Sequence, residues 1–189
     1  MEELFMLLSL PDRSLSEELK NYLKSIIVIV ELRTNQHIQR KGRVCDHIYF
    51  VKKGILRCYR KDEEGNETTK WFMDEGNVIT SVDSFFSRTR SLESIHALKP
   101  SLLYGISYQQ LYFALDHMDF SRHAIEIVIK YHVLNERRIS ALQELSAGEK
   151  YLYTKKTQPN IVKKVPAKHL ATYLGINEAT LSRIKKKYK

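Results

Sequence analysis

The residues of this chain that are best suited to recognition chemistry lie in its last quarter. Arg183 has a planar guanidinium that can donate two hydrogen bonds to the edge of one guanine, which discriminates between bases by about 1–3 kcal/mol. Neighbouring hydroxyl and ammonium groups suit phosphate oxygens, which hold a protein in register on a nucleic acid. The residues predicted to read bases are Glu178, Ala179 and Arg183. The residues predicted to bind phosphates or to position the helix are Lys168, Asn177, Thr180, Ser182, Lys185 and Lys186.

The net charge of the chain lies in the same segment. Residues 146–189 contain 11 Lys and Arg against 2 Asp and Glu, and subtracting these from the totals of 31 and 22 leaves 20 of each in residues 1–145. The formal net charge of +9 therefore belongs wholly to the C-terminal segment. A basic segment behind a neutral body favours a polyanionic partner, because neutralised phosphates release their counterions.

Residues 165–184 have the pattern of two short helices joined by a tight turn. Helices are predicted over 166–174 and 178–187, because Pro166 is tolerated in a first helical turn and Asn177 is a strong N-cap. Gly175 can adopt the left-handed conformation that ends the first helix. The second helix of such a pair presents its N-terminal half to the major groove. The sequence thus predicts a double-stranded DNA partner, against the alternative of a terminal helical hairpin with a solvated basic face.

The body that must position this pair consists of short β-type segments. A short helix is predicted to begin near Ser14 or Ser16, and from residue 25 to about 106 the strands follow one another without intervening helices, which predicts an antiparallel roll or barrel. One more strand is expected at Ile161–Val165, as part of a wing beside the helix pair. The candidate strands of the roll are Ile26–Leu32, His47–Val51, Ile55–Tyr59, Thr68–Phe72, Ile95–Leu98 and Leu102–Ile106.

A long helix is predicted between the roll and the helix pair, from about Phe120 to Leu145. Its apolar positions recur in alternating steps of four and three, which is the heptad pattern of a coiled coil. A helix packed on its own sheet gives the same stripe, but roughly 39 Å of helix is more than a roll of about eighty residues covers. We therefore predict a homodimer, with Arg138 as a point of strain or a side chain that reaches solvent. The predicted seam is Phe120, Ala124, Ile127, Tyr131, Leu134, Arg138, Ala141 and Leu145.

This order of elements resembles the Crp/Fnr family of bacterial transcription regulators. The matching features are the turn at 62–67, the loop at Gly76 and the stretch 180–183, and the resemblance extends over nearly all of the chain. It implies an α+β fold with a sensor domain built as an antiparallel, jelly-roll-like β-roll (a double-stranded β-helix) of the cyclic-nucleotide-binding type. The implied domains are the N-terminal helix and roll at 1–119, a dimerisation helix at 120–145 and a winged helix-turn-helix at 146–189.

The resemblance also implies partners. A parallel two-helix seam and recognition of a palindromic operator are expected, with RNA polymerase as a further partner if the protein is an activator. The family's Arg-Glu-Thr-x-x-Arg motif reads Glu178-Ala179-Thr180-Leu-Ser-Arg183 here. The operator is therefore expected to differ from that of cAMP-responsive members.

The sequence leaves open whether the roll holds a small-molecule effector, and cAMP is not expected to be one. The Gly-Glu pair and the Arg-Ser/Thr-Ala triplet that hold cAMP in the family are replaced here, and Glu93 would put a carboxylate beside an anionic ligand. Arg88 or Arg90 could supply the missing guanidinium only if the register shifts. The predicted effector pocket consists of Thr80, Ser81, Arg88, Arg90, Ser91, Leu92 and Glu93.

Other function classes lack the residues that they need. Metal-dependent enzymes built on similar rolls use His-x-His followed closely by Glu, but Tyr49 stands two residues after His47 where the second histidine would be. Two cysteines cannot build a four-thiolate cluster. The histidines available as haem ligands, His37, His47 and His96, lie in strand-like or surface sequence. The chain is therefore predicted to be no enzyme and to hold no metal or cofactor.

The absence of signal-peptide features and of a long apolar run predicts a cytoplasmic protein without membrane contact. One functional alternative stays open. A ligand-sensing or protein-interaction module of the same fold, with lost or weak DNA binding, is compatible with the altered residues Glu178 and Ala179. Salt-sensitive binding to one preferred palindrome would separate the regulator from this alternative.

Overall fold

A computed structural model describes residues 1–188 as two N-terminal helices, an antiparallel β-roll, a long connecting helix and a C-terminal helical domain. The helices are α1 (Glu2–Leu8), α2 (Glu17–Ile26), α3 (Val82–Ser87), α4 (Tyr108–His117), α5 (Ser121–Glu144), α6 (Ala147–Thr157), α7 (Pro159–Lys164), α8 (Ala167–Leu174) and α9 (Glu178–Lys187). The strands are β1 (Val28–Leu32), β2 (His37–Gln39), β3 (His47–Lys53), β4 (Ile55–Lys61), β5 (Glu67–Asp74), β6 (Val78–Ile79), β7 (Ser94–Ala97) and β8 (Ser101–Ser107).

The predicted antiparallel roll is confirmed. It consists of two four-stranded sheets, with strand orders β1-β8-β3-β6 and β2-β7-β4-β5, and every strand pair is antiparallel. Alternating side chains of both sheets meet in one core, in which Val51, Leu56, Ile95 and Leu103 are fully buried. The short strands β2 and β6 have no counterpart in the prediction, because two or three residues carry no readable alternation. The six-residue helix α3 was not predicted either.

The N-terminal helices build a second core against the outside of the roll. Ser16 caps α2, since its side-chain oxygen accepts a hydrogen bond from the Leu19 backbone N–H at 3.1 Å. Leu19 and Leu23 are fully buried there, together with Phe85 of α3 and Phe120 at the start of α5. This cluster anchors the first turns of the long helix to the body of the chain.

The predicted dimer seam of α5 lies against the chain's own body. Phe120 is 2% exposed, and Ala124 and Ile127 pack on the cluster of N-terminal helices. The Tyr131 hydroxyl accepts a hydrogen bond from the Val78 backbone N–H at 2.7 Å, and burial raises the pKa of this hydroxyl.

Further along the helix, Arg138 lies over the rings of Trp71 and Tyr173. Contacts within the chain, the alternative explanation of this apolar stripe, therefore account for much of its burial, and the dimer seam stays a prediction. The remaining seam positions are half-buried Ala141 and Leu145 and exposed Leu134.

The opposite face of α5 is apolar and open. A step of two residues rotates a helical position by about 200°, so Ile125 and Ile129 point away from Ile127. Ile125, Val128, Ile129 and Ile139 are 57%, 59%, 49% and 37% exposed. Because α5 has apolar residues on both sides, its sequence pattern alone could not show which side faces inward.

The C-terminal domain is helical throughout residues 147–187, apart from its turns. Ser146 and Glu149 form a capping box at the start of α6. The wing strand expected at 161–165 is wrong, because these residues form α7 and the turn after it. Pro159 occupies the first turn of α7, and the spacing of Ile161, Val162 and Val165 places all three in one helical core. No strand, and hence no wing, occurs between residues 146 and 188.

The helical domain packs directly on the roll through α8 and β5. Thr69 of β5 and Thr172 of α8 share a hydrogen bond between their hydroxyl oxygens at 2.8 Å, and the rings of Phe72 and Tyr173 are 5.1 Å apart. Apolar residues of the roll thereby join the core of the helical domain. Within residues 1–188, no helix combines the length and apolarity that crossing a membrane requires.

Candidate nucleic-acid interface

The pair α8–α9 has the turn that the sequence predicts. Gly175 has φ +67° and ψ +34°, a left-handed conformation that favours glycine. The backbone N–H of Ile176 donates to the Ala171 carbonyl at 3.0 Å, which closes the C-terminus of α8. Asn177 caps α9, because its side-chain oxygen accepts a hydrogen bond from the Thr180 backbone N–H at 2.8 Å. Local sequence chemistry therefore fixes where α9 begins.

The inner faces of the two helices hold them in place. Leu170, Ala171, Leu174 and Leu181 are at most 1% exposed. They pack on Ile161 and on other apolar residues of α6 and α7 in one core. Burial of side chains this size contributes about 1.5–3 kcal/mol each. The orientation of α9 is thus set by apolar packing and not by charge.

The outer face of α9 carries the predicted base-reading residues. Ala179, Ser182, Arg183 and Lys186 recur at steps of three and four, so they share one stripe, and all four are exposed together with Glu178. The remaining predicted contacts lie around the stripe: Lys168 and Asn177 are exposed, and Thr180 and Lys185 are half-buried. The structure therefore places Ala179, Ser182, Arg183 and Lys186 on one exposed stripe. Lys185 lies on another side of α9, where it lines a groove with Tyr151 and Val162 of the neighbouring helices.

The basic side chains of this domain are free of ion pairs. All seven salt bridges in residues 1–188 join residues numbered 122 or lower, and none involves a Lys or Arg between 150 and 187. In the same part of the chain, Lys155 donates a hydrogen bond to the Tyr188 carbonyl at 3.0 Å. Unpaired cations next to an exposed helix are what binding to phosphates requires.

The predicted effector pocket is held together only in part. The Ser81 and Ser91 hydroxyl oxygens are 2.8 Å apart, and the Glu93 backbone N–H donates to the Ser91 oxygen at 3.0 Å. The Glu93 carboxylate accepts a hydrogen bond from Arg60 Nε at 3.3 Å. The nearby Thr80 hydroxyl donates to the His47 carbonyl at 3.0 Å. Arg60, which the sequence analysis did not single out, thus supplies the guanidinium in this cluster.

The other predicted pocket residues lie outside that cluster. Arg88 donates to the Cys45 carbonyl at 2.7 Å, pairs with Asp46 and covers the Tyr108 ring. These contacts engage the Arg88 guanidinium away from Ser81, Ser91 and Glu93. Arg90 and Leu92 are exposed, with Leu92 at 53%.

Comparisons with known proteins agree with this architecture. Residues 29–117, from β1 to the end of α4, match the family model of the cyclic nucleotide-binding domain. FixK2 from Bradyrhizobium japonicum is 15% identical, with a TM-score of 0.74 over 86% of this chain and 84% of that one. A protein from Eubacterium rectale described as a regulator of the Crp/Fnr family is 16% identical, with a TM-score of 0.69 over 92% and 83%. The chain has the Crp/Fnr fold.

A third structure extends the comparison. The c-di-GMP-responsive regulator CLP from Xanthomonas campestris is 16% identical to this chain, with a TM-score of 0.66 over 92% of this chain and 91% of that one. No curated protein sequence matches the chain. The likeness to these Crp/Fnr structures is therefore one of fold.

The contact between the Crp/Fnr roll and its helical domain contains a cluster that the sequence analysis missed. Arg57 of β4 is fully buried, and it donates to the Thr69 hydroxyl at 2.9 Å and to the Glu67 carboxylate at 2.6 Å. The His96 ring lies 5.3 Å from the His37 ring and 6.2 Å from that of His169 in α8, measured between centroids. The only sequence signal was an arginine in the middle of an apolar strand.

The three histidines of this cluster have lowered pKa values. Burial, together with the positive charge of Arg57, lowers the pKa of His96 to about 4 from its ordinary value of 6.5. Burial also lowers the pKa of His37 and of His169. The histidines considered as haem ligands are thus stacked on one another or, for His47, on Tyr49. Within residues 1–188, no group of three His, Cys, Asp or Glu residues is arranged to hold a metal ion.

Proposed function

We propose that this chain is a sequence-specific DNA-binding transcription regulator that acts as a homodimer on palindromic operators. The observation that carries the proposal is the outer face of α9, where Arg183 is exposed and without an ion-pair partner within residues 1–188. A capped helix with a free guanidinium in such a position fits the major groove and can read guanine. The fold shared with FixK2 and CLP, both at low identity, supports the same class of function.

The open face of α5 supports the dimer. Ile125, Val128 and Ile129 are exposed apolar side chains on one face of the helix, and exposed Ile139 lies further along the same face, beyond His132 and Glu136. Clustered exposed apolar side chains on a soluble protein mark interfaces. Pairing with a second copy related by a two-fold axis would place two α9 helices symmetrically, which matches the symmetry of a palindrome. We propose this face, rather than the predicted seam, as the dimer interface.

The charge arrangement in the roll argues against cAMP as the effector. Glu93 lies among Ser81, Ser91 and Arg60, where cAMP-binding members have the residues that hold the phosphate. A cyclic phosphate placed there would meet a carboxylate already paired with the available guanidinium, which is electrostatically unfavourable. We propose that any ligand that activates this regulator is not recognised through a phosphate at this position.

The test is selection of bound sequences from random duplex DNA by the purified protein. Enrichment of one palindrome, with affinity that falls steeply as salt is raised, is the expected result. Parallel selections with cAMP and with an extract of cellular metabolites report effector dependence, and cAMP is expected to change nothing. Equal binding to all duplexes would reduce α9 to a non-specific basic surface. No binding at all would favour the sensing or protein-interaction module.

A further inference from the structure

A cleft with a volume of about 360 Å³ lies where the roll, α5 and the helical domain meet. Its walls come from β5, α5, α6, α7 and α8, so no single element contains it. The volume is at the lower end of the roughly 300–1,000 Å³ of small-molecule sites. It is separate from the Glu93 cluster of the roll and from the outer face of α9.

The charges that line the cleft are mainly positive. Arg137, Arg138 and Lys150 line it, against Asp74 as the acidic side chain. Within residues 1–188, none of the three cations forms a salt bridge or a side-chain hydrogen bond, whereas the Asp74 carboxylate accepts a hydrogen bond from Asn77 at 2.9 Å. The cleft therefore favours an anion.

The buried Nε of Arg138 has no hydrogen-bond acceptor within the described chain. The guanidinium carbon of this residue lies 4.9 Å from the Trp71 ring centroid and 4.5 Å from that of Tyr173, so two cation–π contacts hold it. A buried donor without an acceptor is costly, so an acceptor atom entering the cleft would be bound favourably.

The apolar part of the lining favours a ring. Trp71, Tyr131, Tyr153, Leu134 and Leu142 all line the cleft. Aromatic walls prefer a flat, polarisable partner, which they contact by stacking or edge to face. The cleft thus combines a preference for negative charge with a preference for a planar apolar body.

We propose that this cleft binds a small organic anion that contains a planar ring, with the anionic group on Arg138. Such a molecule contacts β5, α5 and α8 at once, so its binding stabilises the arrangement in which the helical domain packs on the roll. Binding itself follows from the cleft alone. The consequence for DNA affinity rests on the function proposed above.

The chain contains a single tryptophan, and it lies in this cleft, so its fluorescence reports on occupancy. The intact protein is titrated with benzoate, with acetate as an anion without a ring and with benzyl alcohol as a ring without charge. Benzoate is expected to give a saturable change of Trp71 fluorescence, with at least tenfold weaker responses to the other two. Saturation-transfer NMR on the benzoate ring gives a second readout that does not depend on Trp71.

Arg138→Gln is expected to weaken benzoate at least tenfold, and Lys150→Gln several-fold in case the first variant folds poorly. Arg43→Gln is the matched control, because Arg43 is exposed on the roll outside the cleft and should change binding less than twofold. Unsaturable titrations, equal responses to benzoate and benzyl alcohol, or equal losses in Arg138→Gln and Arg43→Gln would overturn the proposal. If the protein binds benzoate but selects no palindrome, only the proposed DNA-binding function is contradicted. If it selects a palindrome but does not bind benzoate, only the proposed cleft ligand is contradicted.

Discussion

In residues 1–145, twenty acidic side chains balance twenty basic ones, and this region contains all seven salt bridges of the described chain. In residues 146–188 the basic side chains outnumber the acidic ones several-fold and none of them is paired. The body therefore uses part of its charge to hold its own structure. The C-terminal domain is held together by an apolar core, and its charged side chains remain available to bind a partner. The same residue types thus have different energetic roles in the two regions.

The largest expected effect of this difference in charge use is on the free energy of unfolding. Arg57→Ala removes the buried partner of Glu67 and Thr69, and we expect a loss of about 3 kcal/mol in the free energy of unfolding. Lys186→Ala, on the exposed face of α9, is expected to change it by no more than about 0.5 kcal/mol. Urea denaturation measures both. Similar losses in the two variants would contradict the division of roles.

The helix that joins the two regions gives the next test. Ile129→Glu places a charge on the open face of α5 and is expected to weaken dimerisation about 100-fold, or about 2.7 kcal/mol. Sedimentation equilibrium measures the dissociation constant. Ile29→Glu is the control, because Ile29 is also exposed but lies on β1. A dimer unaffected by Ile129→Glu would place the interface elsewhere.

Within the C-terminal domain, base reading and phosphate binding should separate. Arg183→Ala is expected to lower the affinity for the selected palindrome by about 1–3 kcal/mol while leaving other duplexes nearly unchanged. Lys186→Ala should weaken all duplexes alike and reduce the salt dependence by about one ion. Fluorescence anisotropy on the palindrome and on a scrambled duplex measures both. Equal losses on both duplexes for Arg183→Ala would remove the base-reading assignment.

The smallest expected effect concerns the contact between the regions. His96 has a pKa of about 4 in the folded chain and an ordinary value of 6.5, so the unfolded chain binds its proton first as the pH falls. The resulting stability is fully present above about pH 6.5 and is lost as the pH falls towards 4. We expect a loss of about 1–2 kcal/mol between pH 7 and pH 5, measured by urea denaturation. His96→Gln should reduce this loss of stability with falling pH. His132→Gln, on the exposed part of α5, should not reduce it.

The sequence predicted best where local chemistry decides the structure. The bounds of α9 and, within one residue, of α8 follow from Gly175 and Asn177, which act on neighbouring backbone groups. The short β-type segments that follow one another without intervening helices likewise predicted the roll. Such signals depend on residues a few positions apart, so they are readable without the fold.

The failures concern contacts between distant residues. Nothing near Arg57 or His169 in the sequence shows that α8 brings them together across more than a hundred positions. The two faces of α5 have similar apolar patterns, and only the position of the roll decides which is covered. The run at 161–165 is β-branched and was predicted as a strand, but its packing in the core of the helical domain overrides that propensity.

The capped and glycine-turned helix α9 has an outer face that contributes little to folding. Its exposed residues can therefore change without loss of the native structure, because Leu181, Ile184 and the Asn177 cap keep the helix in place whatever stands at positions 178, 179 and 183. Selection can act on what this surface recognises independently of what keeps the protein folded. The pair Glu178-Ala179, where the family motif has Arg-Glu, is the kind of divergence that such a separation permits.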